Sequence, residues 1–131
     1  MPPAPMITSA RPGGDGDSVR GSRLVIQDAP AAGLAREVAP LHVHRADDET
    51  WRVIAGALRF RFAGEEVIAG AGCTVLVPAG VAHTFGNAGP DLSRYIIILP
   101  ARLNEMISLL HEAVQAEHSA IYRRYESELL E

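Results

Sequence analysis

Short β-prone segments separated by glycine and proline turns fill the middle of the chain and restrict what it can fold into. From Arg23 to Pro100 these segments alternate with breaks such as Gly70–Gly72 and Pro78–Gly80. Each segment is about the length of one strand, and the breaks follow one another closely. Many short strands at such spacing favour an all-β barrel or sandwich.

One segment shows how the strands are oriented. Leu58, Phe60 and Phe62 alternate with Arg59 and Arg61. Successive side chains of a strand point to opposite faces, so this strand has one apolar face and one solvated face. The sequence therefore predicts a sheet with one side packed on a core.

The last strand of the region, over residues 93–99, differs from the others. Tyr95, Ile97 and Leu99 share one face, while Ile96 and Ile98 share the other. A strand that is apolar on both faces is expected to be covered on both. A helical tail of the same chain or a second copy of the chain would supply the cover, and we expect a homodimer.

After Pro100 the pattern becomes helical. An amphipathic stripe follows i, i+3, i+4, i+7 and i+11 spacing, through Leu103, Met106, Ile107, Leu110 and Val114. A second helical stretch is predicted from about Ser119, with Ile121, Tyr125 and Leu129 on its apolar side. This tail could lie on its own barrel or embrace a partner chain.

The first 21 residues are rich in Pro, Gly, Asp and Ser and lack periodicity, so we expect a flexible arm. Met6 and Ile7 are apolar, and the alternative is an edge strand on a neighbouring chain. The expected organisation is a flexible arm over 1–21, a barrel over 22–100 and a helical segment over 101–131.

Composition excludes several classes of protein. The chain has 131 residues, of which 47% are hydrophobic, and a net charge of -4 without a basic stripe. We therefore expect no nucleic-acid or membrane partner. Cys73 is the one cysteine, so an internal disulfide is excluded, and a small buried residue is the expected role. The N-terminal residues lack the apolar core of a signal peptide, and a cytoplasmic location is expected.

His42-Val43-His44 is the local feature that carries chemistry. In a strand, residues i and i+2 point to the same face, so the two imidazoles project together. Glu49 follows an acidic turn and would face them from the next strand, and His83 opens a later strand. Imidazoles and a carboxylate on facing strands suit one divalent transition metal ion, which could be Fe, Mn, Ni, Cu, Co or Zn.

At these residues the sequence resembles the cupin superfamily, in particular small single-domain proteins of the cupin 2, quercetinase-like type. The first part of the family signature is matched by His42, His44, Glu49 and Gly56, but Arg36 stands where the leading glycine is expected. The second part is matched without a gap, by Gly72, Pro78, Gly80, His83 and Asn87. The resemblance covers roughly residues 23–100.

The resemblance implies a double-stranded β-helix, or jelly-roll barrel, with the C-terminal helical segment added. It also implies that the metal ligands are His42, His44, Glu49 and His83. Cupins carry out many reactions and some only bind ligands, so the resemblance says little about the substrate.

Three hypotheses remain open at this stage. The favoured one is a metal-dependent enzyme, dioxygenase-like or isomerase-like, that acts on a small organic substrate, aromatic ones included, with Glu49 also serving as a base. The alternative is a non-catalytic module that binds a small ligand or a metal. An assembly protein that uses its tail is the least favoured.

Several other residues have two open interpretations. Substrate-pocket residues are proposed from the aromatic and apolar positions, with plain barrel core as the alternative; they are Trp51, Phe62, Phe85 and Ile97, together with Phe60. Arg36 could clamp an anion or be a solvated residue, and Asn87 could cap a turn or support a ligand. His111 and His118 are expected on a solvated helix face.

Overall fold

The fold is a two-layered β structure with a helical tail. The computed structural model describes residues 5–9, 22–29 and 37–131. Its strands in these ranges are β1 (Met6–Ser9), β2 (Ser22–Ala29), β3 (His42–His44), β4 (Glu49–Ala55), β5 (Ala57–Phe62), β6 (Glu65–Gly70), β7 (Cys73–Val77), β8 (His83–Asn87), β9 (Ser93–Pro100) and β10 (Ser127–Leu129).

The strands form two antiparallel five-stranded sheets. One sheet has the order β1-β7-β4-β9-β2 and the other the order β10-β3-β8-β5-β6. Neighbours in each sheet are mostly distant in sequence, as expected when one folded ribbon of strands is wound into a jelly roll. The predicted all-β barrel with a helical tail is confirmed.

The core lies between the two inner faces, and strand periodicity determines which residues enter it. In β5, Leu58, Phe60 and Phe62 are buried, while Arg59 and Arg61 lie on the outer face. Strand β4, which precedes β5 along the chain and belongs to the other sheet, buries Glu49, Trp51 and Val53 on its inner face in the same way. The alternation that indicated a one-sided sheet is therefore present in the structure.

The last barrel strand, β9, buries Tyr95 and its inner-face neighbours completely, but its outer face is only half covered. Ile96 and Ile98 are partly exposed there. They pair with Ile26 and Leu24 of β2, which are 62% and 55% exposed. The expected full cover of this face is therefore not present among the described residues.

The tail consists of α1 (Ala101–Glu112), α2 (Gln115–Arg124) and the strand β10. The prediction of a second helix that starts near Ser119 and includes Leu129 was wrong at both ends. The helix ends at Arg124, Glu126 adopts a left-handed φ of 53°, and the chain then pairs with the free edge of β3. Pairing satisfies backbone groups of β3 that a longer helix would have left open. No helix in the described ranges is long and apolar enough to cross a membrane.

Two predictions concern the N-terminal part of the chain. Within the predicted flexible arm, Met6–Ser9 forms β1 and pairs with β7 of the same chain. The remaining residues of the arm lie outside the described ranges, so the division into arm, barrel and tail stays a prediction. In the segment before the second histidine, the structure has the short strand His42–His44 and an isolated bridge between Glu37 and Gly86. Arg36 lies outside the described residues.

Candidate metal centre

Four side chains from three strands meet inside the barrel. His42 and His44 come from β3, Glu49 from β4 and His83 from β8, and each has one potential ligand atom within 4.8 Å of the others. All four residues are buried, with at most 6% of their surface exposed. Strand parity puts both β3 imidazoles on the inner face, and the antiparallel register sets His42 opposite His83. The structure thus brings all four predicted ligands together.

Backbone carbonyl groups hold the Nδ1 atoms of His42 and His83. His42 Nδ1 lies 2.7 Å from the oxygen of Pro40, and His83 Nδ1 lies 2.9 Å from the oxygen of Val81. A carbonyl only accepts, so each Nδ1 carries the proton and donates it. The Nε2 lone pair of each ring is therefore free to bind a metal ion.

The third imidazole is held by the tail. His44 Nδ1 lies 2.6 Å from Ser127 Oγ, and that hydroxyl donates its own hydrogen to the backbone oxygen of Tyr125 at 3.1 Å. Because the single hydroxyl hydrogen is used in this way, Ser127 accepts from His44. Each of the three histidines is therefore held through Nδ1, and its Nε2 is the atom that would bind a metal ion.

The charges of the cluster favour metal binding. Burial, followed by repulsion from His83 and His44, lowers the pKa of His42 to about 3, so this ring is neutral at neutral pH. Burial alone would raise the pKa of Glu49, but the facing His44 and His83 lower it overall. The centre therefore combines a neutral ring with a carboxylate, the protonation states that a metal ion requires.

An unpartnered atom tests whether a metal ion fits. Glu49 Oε1 contacts His44 Nε2 and lies 3.7 Å from His83 Nε2. His83 is 1% exposed, and its Nε2 has no hydrogen-bond partner among the residues that the structure describes. A buried polar atom normally has a partner, because leaving it unpaired costs about 1–3 kcal/mol. A divalent ion bound to this nitrogen would supply the missing interaction, so the residues fit a metal.

The cluster opens onto a cavity of about 660 Å³. Apolar side chains make up much of the wall, and the tail helices contribute a large part of it, with Leu103, Met106, Ile107 and Leu110 from α1 and Tyr122 from α2. The volume lies in the range of small-molecule sites, about 300–1,000 Å³. Metal centre and cavity therefore form one continuous compartment.

Three of the four predicted pocket residues line this cavity. Trp51, Phe85 and Ile97 are part of its wall. Phe62 is not; it is buried in the core and stacks on Phe60 with ring centroids 6.3 Å apart. A role in substrate binding stays a prediction for these residues.

Asn87 connects the cavity wall to two other segments. Its Nδ2 donates to the backbone oxygens of Ala29 and Asp91, at 3.0 and 2.7 Å, and its Oδ1 accepts from the amide of Gly89. It therefore caps the turn after β8 and fixes the end of β2. No hydrogen bond links it to the histidines.

Comparison with known proteins agrees with this architecture. Residues 35–99 match the family described as Cupin domain. The chain belongs to the cupin superfamily. No curated protein matches the sequence.

Solved structures share the cupin fold with this chain. A protein with a double-stranded β-helix domain from Klebsiella pneumoniae is 25% identical, with a TM-score of 0.53 over 71% of this chain and 84% of that chain. A cupin-2 domain protein from Shewanella frigidimarina is 22% identical, with a TM-score of 0.53 over 63% and 74%. A cupin from Bacteroides fragilis is 18% identical, with a TM-score of 0.54 over 63% and 68%.

Sequence reasoning missed the part of this cupin site that the tail supplies. Tyr122, buried in α2, packs its ring against His42 with centroids 5.4 Å apart. Burial, followed by the charge of Glu49, raises the pKa of Tyr122 to about 12, so its hydroxyl keeps its proton. His111 is exposed, as expected, and His118 is partly buried; both line the cavity. No short-range pattern in the sequence links these tail residues to a barrel strand some 70 to 80 positions earlier, so nothing pointed to Tyr122.

Proposed function

We propose that this cupin is a metal-dependent enzyme that acts on a small organic substrate held between the metal centre and the tail helices. The observation that carries the proposal is the unpartnered Nε2 of His83, within a buried three-histidine, one-carboxylate cluster that opens onto a largely apolar cavity. Such a cluster is costly to bury without a cation. An enclosed apolar wall would exclude water from the reacting atoms and suit aromatic or otherwise hydrophobic substrates.

The residues have distinct proposed roles. His42, His44 and His83 would hold one divalent transition metal, either Fe, Mn, Ni, Cu, Co or Zn, through their Nε2 atoms. Glu49 would add a carboxylate ligand and, when released from the metal, accept a proton from the substrate as the catalytic base. Bound there, the metal would supply Lewis-acid polarisation or oxygen activation. The apolar wall, including Trp51, Phe85 and Ile97, would orient the substrate.

We favour an oxidoreductase of the dioxygenase type, with an isomerase-like reaction as the second choice. Both reactions need a metal ion that binds a substrate oxygen and a base close to it. The cluster would hold the metal ion, and Glu49 would serve as the base. The favoured choice rests on the apolar wall, because an oxygen-dependent reaction benefits most when water is kept away. The two reactions differ in one measurable respect, the consumption of oxygen.

The test is elemental analysis of anaerobically purified protein, with oxygen uptake measured on a panel of phenolic and sugar substrates. We expect about one metal ion per chain and substrate-dependent uptake. His83→Ala should lose the metal, while the control His111→Ala, which changes a cavity histidine outside the cluster, should keep it. A wild-type chain that binds no transition metal would exclude the proposal, and turnover without oxygen uptake would favour the isomerase.

The competing interpretation is a non-catalytic module that binds a metal or a small ligand. The double variant His42→Ala, His44→Ala separates the two. An enzyme loses its turnover in this variant, whereas a structural module would retain its physiological role together with its fold.

We also propose that two copies associate through the outer face of the β1-β7-β4-β9-β2 sheet, and that the protein works in the cytoplasm on a small-molecule partner. The exposed Leu24 and Ile26 lie beside the half-covered Ile96 and Ile98 on that face. Apolar surface of this kind is favourably removed from water by a second copy. Light scattering should give twice the chain mass for the wild type and a lower mass for Ile26→Lys; a monomeric wild type would exclude the dimer.

A further inference from the structure

Tyr122 is a tail residue that packs against the predicted metal ligand His42 and lines the cavity. It lies on α2, is 4% exposed and forms part of the cavity wall. Its ring is inclined by 59° to that of His42 at a centroid separation of 5.4 Å. His42, His44 and Glu49 line the same cavity as Tyr122.

The hydroxyl of this buried tyrosine has no hydrogen-bond partner within the part of the chain that the structure describes. The other tyrosine of the cavity wall behaves differently, since Tyr95 donates to Gln27 Oε1 at 2.8 Å. The side chain of Tyr122 is buried, but its hydroxyl is not sealed off and opens on the cavity, where it can interact with water or with a ligand that replaces the water. Tyr122 therefore presents a free donor to the interior of the cavity, beside the cluster.

The rest of the wall determines what can accept this hydrogen bond. The α1 side chains Leu103, Met106, Ile107 and Leu110 offer no acceptor and would pack against an apolar body. The donor of Tyr122 and three residues of the cluster, His42, His44 and Glu49, line the same compartment. A ligand that satisfies both parts carries oxygen at one end and an apolar group at the other.

We propose that the Tyr122 hydroxyl donates a hydrogen bond to an oxygen atom of the ligand bound at the metal centre, and that the cavity thereby selects aromatic or alkyl molecules with a hydroxyl, carbonyl or carboxylate head. This inference rests on the proposed function, because it takes the cluster as the place where the ligand head binds. Tyr122 is a specificity residue in this proposal, supplied by the tail and not by the barrel.

The test uses 4-nitrocatechol, an aromatic probe with adjacent oxygen atoms whose absorbance changes on binding to a metal ion. Its dissociation constant is measured by absorbance titration on zinc-loaded wild type, Tyr122→Phe and Tyr125→Phe. The first variant removes the hydroxyl and keeps the ring packed against His42. The second removes the same group from a tail tyrosine that does not line the cavity. Zinc content and melting temperature are recorded for all three proteins.

We expect Tyr122→Phe to bind the probe about tenfold more weakly, which corresponds to about 1.4 kcal/mol, at unchanged zinc content. Tyr125→Phe should stay within about twofold of the wild type, as expected of a residue remote from the ligand. If zinc binds to all three proteins but the probe binds equally to wild type and Tyr122→Phe, or to neither, the role of Tyr122 is refuted while the metal site stands. Failure of the wild type to bind zinc would instead refute the proposed function.

Discussion

Replacing Ser127 by alanine would remove the side-chain hydrogen bond between the tail and the predicted metal ligand His44. Ser127 is 3% exposed, accepts from His44 Nδ1 at 2.6 Å and donates to the oxygen of Tyr125. The variant leaves a buried imidazole N–H without an acceptor, which costs about 1–3 kcal/mol. For a chain of this size the melting temperature of the metal-free protein should fall by about 5–15 °C. Because the ring of His44 is no longer oriented, zinc affinity should fall by about 10–100-fold.

The assay combines thermal unfolding of the metal-free protein with a zinc titration against a competing chelator. Ser108→Ala is the matched control, since Ser108 lies on the same tail, is exposed and donates to the backbone of its own helix. That substitution should change stability by less than about 0.5 kcal/mol and leave zinc affinity unchanged. If Ser127→Ala is destabilised but binds zinc as tightly as the wild type, Ser127 supports the fold only, and the argument that it orients His44 fails.

Three further predictions concern the metal, pH and a turn. Saturating zinc at about 100 times its dissociation constant should stabilise the wild type by about 2.7 kcal/mol, and this gain in melting temperature should be absent from His83→Ala. The pKa of His42 is lowered from 6.5 to about 3 in the folded chain. Between these two pH values the unfolded chain therefore binds a proton on His42 that the folded chain does not. Denaturant titrations of the metal-free protein should therefore show stability falling on acidification, by on the order of 2–3 kcal/mol between about pH 7.5 and about pH 4.5; constant stability would contradict the burial argument. Gly56→Ala should cost several kcal/mol, on the order of 2–5, because its φ is 76° and the new methyl would meet Ser93, whose Cα is 2.9 Å away. Gly64→Ala, with φ 83° but open space, should cost only about 1–2 kcal/mol, so equal losses would show that strain and not the clash decides.

The barrel strands and the shared face of His42 and His44 could be predicted because both depend on short-range rules, whereas the full ligand set with His83 followed from the resemblance to cupins. The period of two assigns His42 and His44 to one face, and the same parity carries Glu49 and Trp51 inward on the next strand. Glycine and proline mark the turns that separate the strands. These constraints act within a few residues, so they are readable along the chain.

The tail contacts could not be predicted, because they depend on which surface is left open once the barrel has formed. The segment around Leu129 has an apolar pattern compatible with a helix, but the free edge of β3 offers it backbone partners. Glu126 adopts a left-handed conformation, which interrupts the helix before the strand. Pairing across more than 80 positions overrides local propensity here, as tertiary context often does.

The tail therefore does more than cover the barrel. Strand β10 pairs with β3, the strand that carries His42 and His44, so backbone hydrogen bonds fix the position of both ligands. Ser127 then sets the tautomer of His44, and Tyr122 packs on the ring of His42. Each of these contacts acts on a different degree of freedom: strand position, ring tautomer and ring packing. A barrel with the same four ligands but another tail would keep the ligand set while changing the cavity wall and the donor beside it. Under the proposed function, the barrel would supply the four metal ligands, whereas the tail would supply the Tyr122 donor and the apolar α1 side chains of the cavity wall; this division is the one expected when a site is built onto a common fold.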